Sequence, residues 1–162
     1  MRTAVYFQDP IQSLIHQFKY RNTFALSQTL GDVMVQAWPD WQHPIDLIVP
    51  IPLSPERYAA RGYNQSERLG AVLAARLGVP LDTTSLQRTR DTMSQVGLSG
   101  AERRHNVAGA FAAAGQTLHG RHVLLIDDVY TTGATLDAAA VALLAAGADT
   151  VSGYCLARAK QR

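Results

Sequence analysis

The segment Val123-Leu124-Leu125-Ile126-Asp127-Asp128-Val129-Tyr130-Thr131-Thr132-Gly133-Ala134-Thr135 restricts the fold more than any other part of this 162-residue chain. The continuous apolar run His122–Ile126, following Gly120, reads as a strand buried on both faces, as a parallel sheet requires. It delivers two adjacent acids to its carboxyl end, the edge at which open α/β sheets bind ligands. A loop of small residues follows, and then a helix. Amide groups at such a helix start converge on one space, where the helix dipole adds partial positive charge. Thr131, Thr132 and Thr135 can add hydroxyl donors, and Gly133 lets the backbone turn tightly against a ligand. Such a pocket fits a phosphate. Like charge keeps the carboxylates off that phosphate and suits them instead to the hydroxyls of a sugar. Singly, an Asp-Asp pair more often caps a helix and a Thr-Gly pair more often makes a turn. The whole combination is far more specific than a lone glycine-rich loop.

The rest of the chain reads as a frame for this segment. Asp9-Pro10 starts a helix with Ile11, Leu14, Ile15 and Phe18 on one face, and Leu26, Leu30 and Val33 continue the pattern after a break at Arg21-Asn22-Thr23. A loop with Trp38, Pro39, Trp41 and Pro44 leads to Ile45–Ile51, a short apolar run suited to a buried parallel strand. Asn64–Leu77 is an amphipathic helix with Leu69, Val72, Leu73 and Leu77 inward and Gly78 as its stop. Leu81–Leu86 is a weaker strand candidate, Arg88–Asn106 is polar and aperiodic, Thr135–Ala146 is helical, and Thr150–Leu156 is a last strand. Alternating strands and helices imply an α/β fold: a twisted, mostly parallel sheet with helices on both faces. One domain is expected over residues 1–162, with an N-terminal helical segment (1–44) and a ligand-binding core (45–162).

Composition excludes several classes. Cys155 is the single cysteine, so neither an internal disulfide nor a multi-thiolate metal site can form, and a cytoplasmic setting is expected. The five histidines are scattered without metal-ligand spacing. A formal net charge of +2 is too mild to indicate nucleic-acid binding, and no stretch is apolar enough to span a membrane. The nucleotide-binding motifs Gly-x-x-x-x-Gly-Lys-Ser/Thr and Gly-x-Gly-x-x-Gly are both absent.

The Asp127–Thr135 stretch resembles the 5-phosphoribosyl 1-pyrophosphate (PRPP) motif of type I phosphoribosyltransferases. The likeness extends over nearly the whole chain to the ComF/GntX family of competence-associated, phosphoribosyltransferase-like proteins. It rests on Phe18-Lys19-Tyr20-Arg21, Val49-Pro50-Ile51-Pro52-Leu53, Arg61-Gly62-Tyr63-Asn64-Gln65, Arg88-Thr89-Arg90 with Gln95, and Glu102-Arg103 with Asn106. The resemblance implies that Asp127 and Asp128 hold the ribose hydroxyls and that Thr131, Thr132, Gly133, Ala134 and Thr135 cradle the 5-phosphate. It assigns pyrophosphate to Ile51, Pro52, Leu53 and Ser54, often through an unusual peptide geometry, with Arg57 and Arg61 beside them. A flexible loop carrying Arg88, Arg90, Gln95 and Arg103 would close over the ligand and exclude water. Lys19, Tyr20 and Arg21 would form the hood for the second substrate, although cations at a helix end are expected from the dipole alone. Many members of that family carry a cysteine-rich zinc segment before the first helix. This sequence starts almost at that helix and reads either as a short form or as part of a longer chain, which leaves partner or DNA contacts through that segment open.

The function so implied is transfer of the phosphoribosyl group to an unidentified nucleophile with release of pyrophosphate. Mg²⁺ would be held mainly by PRPP and water, with no direct protein ligand. Cys155 is expected to be buried and inert. The resemblance also implies a role in DNA uptake, a DNA-processing or helicase-like partner, and a homodimer. The alternative is a non-catalytic PRPP sensor or DNA-uptake accessory that keeps the same site.

Overall fold

The computed structural model describes residues 1–20, 25–90 and 109–159. The apolar runs at the chain's centre and end form a four-stranded parallel sheet in the order β1-β6-β5-β2. These strands are β1 (Arg2–Tyr6), β2 (Leu47–Pro50), β5 (His122–Tyr130) and β6 (Thr150–Arg158). In register, Val123 pairs with Leu47 on one side and Val151 on the other. A two-stranded antiparallel ribbon, β3 (Leu86–Arg88) with β4 (Phe111–Ala113), stands apart from the sheet.

Helices cover both faces, as the alternation of elements demands. On one side α1 (Ile11–Tyr20), α2 (Ala25–Gln36) and α4 (Gln65–Leu77) bury Phe18, Leu30, Leu69 and Leu73 against Ile48, Leu124 and Ile126. On the other, α5 (Ala134–Ala145) and the β3–β4 ribbon enclose Val49, Val123 and Leu125 with Leu136, Leu143 and Phe111. Even- and odd-numbered residues of β5 thus enter different cores, the consequence of a period of two in a strand buried on both faces. The short α3 (Pro55–Arg61) lies between β2 and α4.

The structure refines several sequence expectations. β5 runs through Asp127 and Asp128 to Tyr130, so the acids lie within the strand and not beyond it. β1 adds an edge strand that no pattern announced; its residues pair with β6, Arg2 opposite Tyr154. Leu81–Leu86 does not form one strand, and only its last residue enters β3. Leu81 makes one parallel bridge to Ile48, and Asp82 then gathers the chain into a turn. Its carboxylate accepts from the Thr84 and Ser85 amides at 2.8 and 3.0 Å and from Thr117 Oγ1 at 3.0 Å. Such side-chain bonds to nearby backbone compete with a strand ladder.

Candidate functional site

Three stretches of chain meet at the carboxyl ends of β2 and β5 around a cavity of about 620 Å³. The first is the strand end itself. Asp127 and Asp128 both line the cavity. Lys19, at the last turn of α1, holds Asp128 with its ammonium 2.9 and 2.8 Å from the two carboxylate oxygens. Asp127 accepts from the Ser66 hydroxyl at 3.0 Å and from the Asp128 amide at 2.9 Å. Burial, and then the neighbouring Asp128 charge, push the Asp127 carboxyl up to about 6, against the opposing pull of Lys19 and those hydrogen bonds. Two adjacent acids therefore differ in role: Asp128 is buried and ion-paired to Lys19, and Asp127 is half-buried, hydrogen-bonded to Ser66 and without a cation of its own at hydrogen-bond distance among the described residues.

The second stretch joins β5 to α5. Gly133 sits at φ 84°, and a Cβ there would lie 3.0 Å from the Tyr130 ring. Both the left-handed backbone and the close approach require glycine. None of the Thr131, Thr132 and Gly133 amides bonds another described backbone group. Thr131, Gly133, Ala134 and Thr135 line the cavity. Thr132 does not; its hydroxyl accepts from the Ala134 amide at 3.5 Å at the start of α5.

The third stretch leaves β2 and enters α3 and α4. Ile51, Pro52 and Leu53 line the cavity, as do Arg57 and Arg61. Ser54 is fully buried and turned to structural use: its hydroxyl caps α3 by accepting from the Arg57 amide at 3.4 Å. Among the described residues the only cis peptide bond is Asp9–Pro10, so the Ile51–Ser54 loop has ordinary trans geometry, unlike the unusual peptide expected from the resemblance. Arg61 is fixed by a 2.9 Å bond to Gln65 Oε1 and lies 5.3 Å from the centre of the Tyr20 ring.

Lys19, Tyr20 and Arg88 also line the cavity, whereas Arg90 does not. Arg21, Gln95 and Arg103 lie outside the described residues, together with most of the expected loop at 88–106. His16 is exposed and its ring lies tilted against Tyr20, with centroids 4.9 Å apart. Cys155 is buried, its thiol pushed well up by burial and by the two aspartates. No group of three or more His, Cys, Asp or Glu that could hold a metal occurs among the described residues, and no described helix is long and apolar enough to cross a membrane.

Sequence reasoning missed Ser66 and Gln65 as site residues and the Lys19–Asp128 pair. A partner 109 positions away leaves no local signal. Gln65 stood in plain sight in the Arg61–Gln65 stretch, without an assigned role.

The sequence matches the phosphoribosyl transferase domain family over residues 64–162. It is 35% identical over 161 residues to competence protein F of Haemophilus influenzae, covering 95% of this chain and 70% of that protein. Identity to DNA utilization protein YhgH of Escherichia coli is 34% over 162 residues, covering 96% and 70%. Competence protein ComFC of Streptococcus pneumoniae is 30% identical over 160 residues, covering 97% and 67%. Among solved structures, glutamine PRPP amidotransferase of Bacillus subtilis superposes with a TM-score of 0.57 at 19% identity; 86% of this chain matches 30% of that one. Adenine phosphoribosyl transferase of Trypanosoma brucei gives 0.52 at 15% identity, over 88% of this chain and 68% of that one. At those identities the structures establish a shared fold.

Proposed function

The chain belongs to the phosphoribosyl transferase domain family, and on that premise we propose that it binds PRPP in the cavity between β2, β5 and α4 and transfers its phosphoribosyl group. The observation that carries the proposal is the division of that cavity. Acids suited to sugar hydroxyls lie on β5, a turn of amides without backbone partners opens α5, and Arg57 and Arg61 face them from α3. Acceptor, anion cradle and cation match the three parts of one ligand: its ribose, its 5-phosphate and its pyrophosphate.

In the proposed reaction a nucleophile bonds to the anomeric carbon as its bond to the pyrophosphate oxygen breaks. The electron pair leaves with pyrophosphate, and the nucleophile's proton passes to solvent. The carboxylates orient the ribose, and the arginines stabilise charge that grows on the leaving group. Mg²⁺ is proposed to enter with PRPP and neutralise pyrophosphate. The donor set fits that arrangement: Asp128 is engaged by Lys19, and no described cluster forms a protein metal cage. The names of the relatives support service in competence or DNA utilization; a cytoplasmic setting and a DNA-processing partner are part of the same proposal and rest on the family resemblance alone.

Incubating the protein with PRPP, Mg²⁺ and candidate nucleophiles, water included, tests the transfer step by pyrophosphate release. The account expects release that depends on Mg²⁺ and disappears in the Asp127→Asn/Asp128→Asn double variant. PRPP bound without any release would remove the transferase and leave a sensor.

A further inference from the structure

The stretch Arg61–Gln65 turns the chain from α3 into α4, and most of it is accounted for by architecture. Gly62, at φ 76°, ends α3. Tyr63 is buried and donates its hydroxyl to the Phe18 carbonyl, tying the turn to α1. Asn64 caps α4 by accepting from the Ser66 amide at 3.0 Å, and its Nδ2 donates to the Ile51 carbonyl at 3.0 Å.

Gln65 is different. Its side chain is buried, the residue only 1% exposed, yet it lines the cavity. Arg61 has only donors to offer, so its 2.9 Å bond identifies the near amide atom of Gln65 as oxygen. The Nε2 end is left buried with no partner among the described residues. Folding an amide donor into that position without an acceptor is destabilising, so the apo fold retains it at a cost. An acceptor arriving in the cavity would remove the cost.

We propose that Gln65 is a ligand-binding residue whose Nε2 donates to an oxygen of a pyrophosphate group, while its Oε1 holds Arg61 to the same anion. This rests on the PRPP reading and assigns a contact within it. The identity of the ligand oxygen follows from the wall on which Gln65 stands. Asn64 ties this turn to the Ile51 loop, Arg57 and Arg61 supply charge, and the 5-phosphate cradle belongs to the separate β5–α5 turn.

Calorimetry with three probes tests the contact: PRPP with Mg²⁺, inorganic pyrophosphate with Mg²⁺, and ribose 5-phosphate. Gln65→Glu keeps an oxygen for Arg61 and replaces the donor with a charge that repels phosphate. It should weaken PRPP and pyrophosphate about ten- to hundredfold and change ribose 5-phosphate by no more than about twofold. Gln65→Met, which removes the orphan donor at similar volume, should also weaken PRPP but melt no lower than wild type. Wild-type affinity for PRPP in the Glu variant, or an equal loss for ribose 5-phosphate, would overturn the assignment. A wild-type protein that binds none of the three probes would instead remove the PRPP reading itself.

Discussion

Asp127 and Asp128 are neighbours in sequence and opposites in chemistry. The adjacency was legible, as was its place at a strand's end. The division was not, because it depends on Lys19 from α1 and Ser66 from α4, which reach the pair only in the folded chain. The consequence is a pH dependence with a definite sign. Burial and the Asp128 charge push the Asp127 carboxyl up from its ordinary 3.8 to about 6. Its raised value contributes stability that is fully present below about pH 3.8 and lost as pH rises through about 6. Asp127→Asn should therefore raise the melting temperature of the ligand-free protein at pH 8, with the gain shrinking as pH falls below 6, followed by thermal melts across that range. Ligand affinity should move the other way. If the ionised carboxylate accepts from ribose, the ratio of wild-type to Asp127→Asn affinity for PRPP falls as pH drops through about 6. A ratio independent of pH would separate Asp127 from the ribose.

Elements whose pattern is local were read with their ends nearly correct, and those held by distant partners were not. α4 is framed by Asn64 and Gly78, both visible in sequence and both acting as caps. The stretch after Leu81 misled because its apolar ends suggest a strand, while Asp82 organises the backbone through bonds that alternation does not report. Burial pushes that carboxyl upward, but the Ser85 and Thr84 hydrogen bonds outweigh burial and hold it well below the usual carboxylate range. Its contribution is thus present above the ordinary carboxylate value and lost as pH falls toward the folded one. Asp82→Ala should destabilise the protein by about 2–4 kcal/mol, since it orphans several buried donors at once; urea denaturation at pH 7 measures this. α2 and α4 approach closely because position 31 has no side chain: a Cβ on Gly31 would lie 2.6 Å from Val72 Cβ. Gly31→Ala should cost about 1–3 kcal/mol through overpacking, while leaving PRPP affinity within error, because neither residue lines the cavity.

The whole molecule joins a sheet that sequence periodicity predicts to a cavity that it does not. Apolar runs at Ile45–Ile51 and His122–Ile126 announce strands buried on two faces, and two separate cores on either side of β5 bear this out. The cavity is assembled from three stretches far apart in the chain, and only the Asp127–Thr135 motif identified its position from a single segment. Likeness to the phosphoribosyl transferase domain family then explains why these stretches meet where the parallel strands end. The central claim is that this meeting point takes PRPP. Titration calorimetry and thermal shift with PRPP, with and without Mg²⁺, on wild type and Asp127→Asn/Asp128→Asn test it most directly. The account predicts Mg²⁺-dependent binding, with ligand at about 100 times its dissociation constant adding roughly 2.7 kcal/mol of stability, and loss of that gain in the double variant. A folded wild type that PRPP neither stabilises nor heats on mixing would contradict the account, and the acid pair and threonine turn would then be a capped junction between strand and helix.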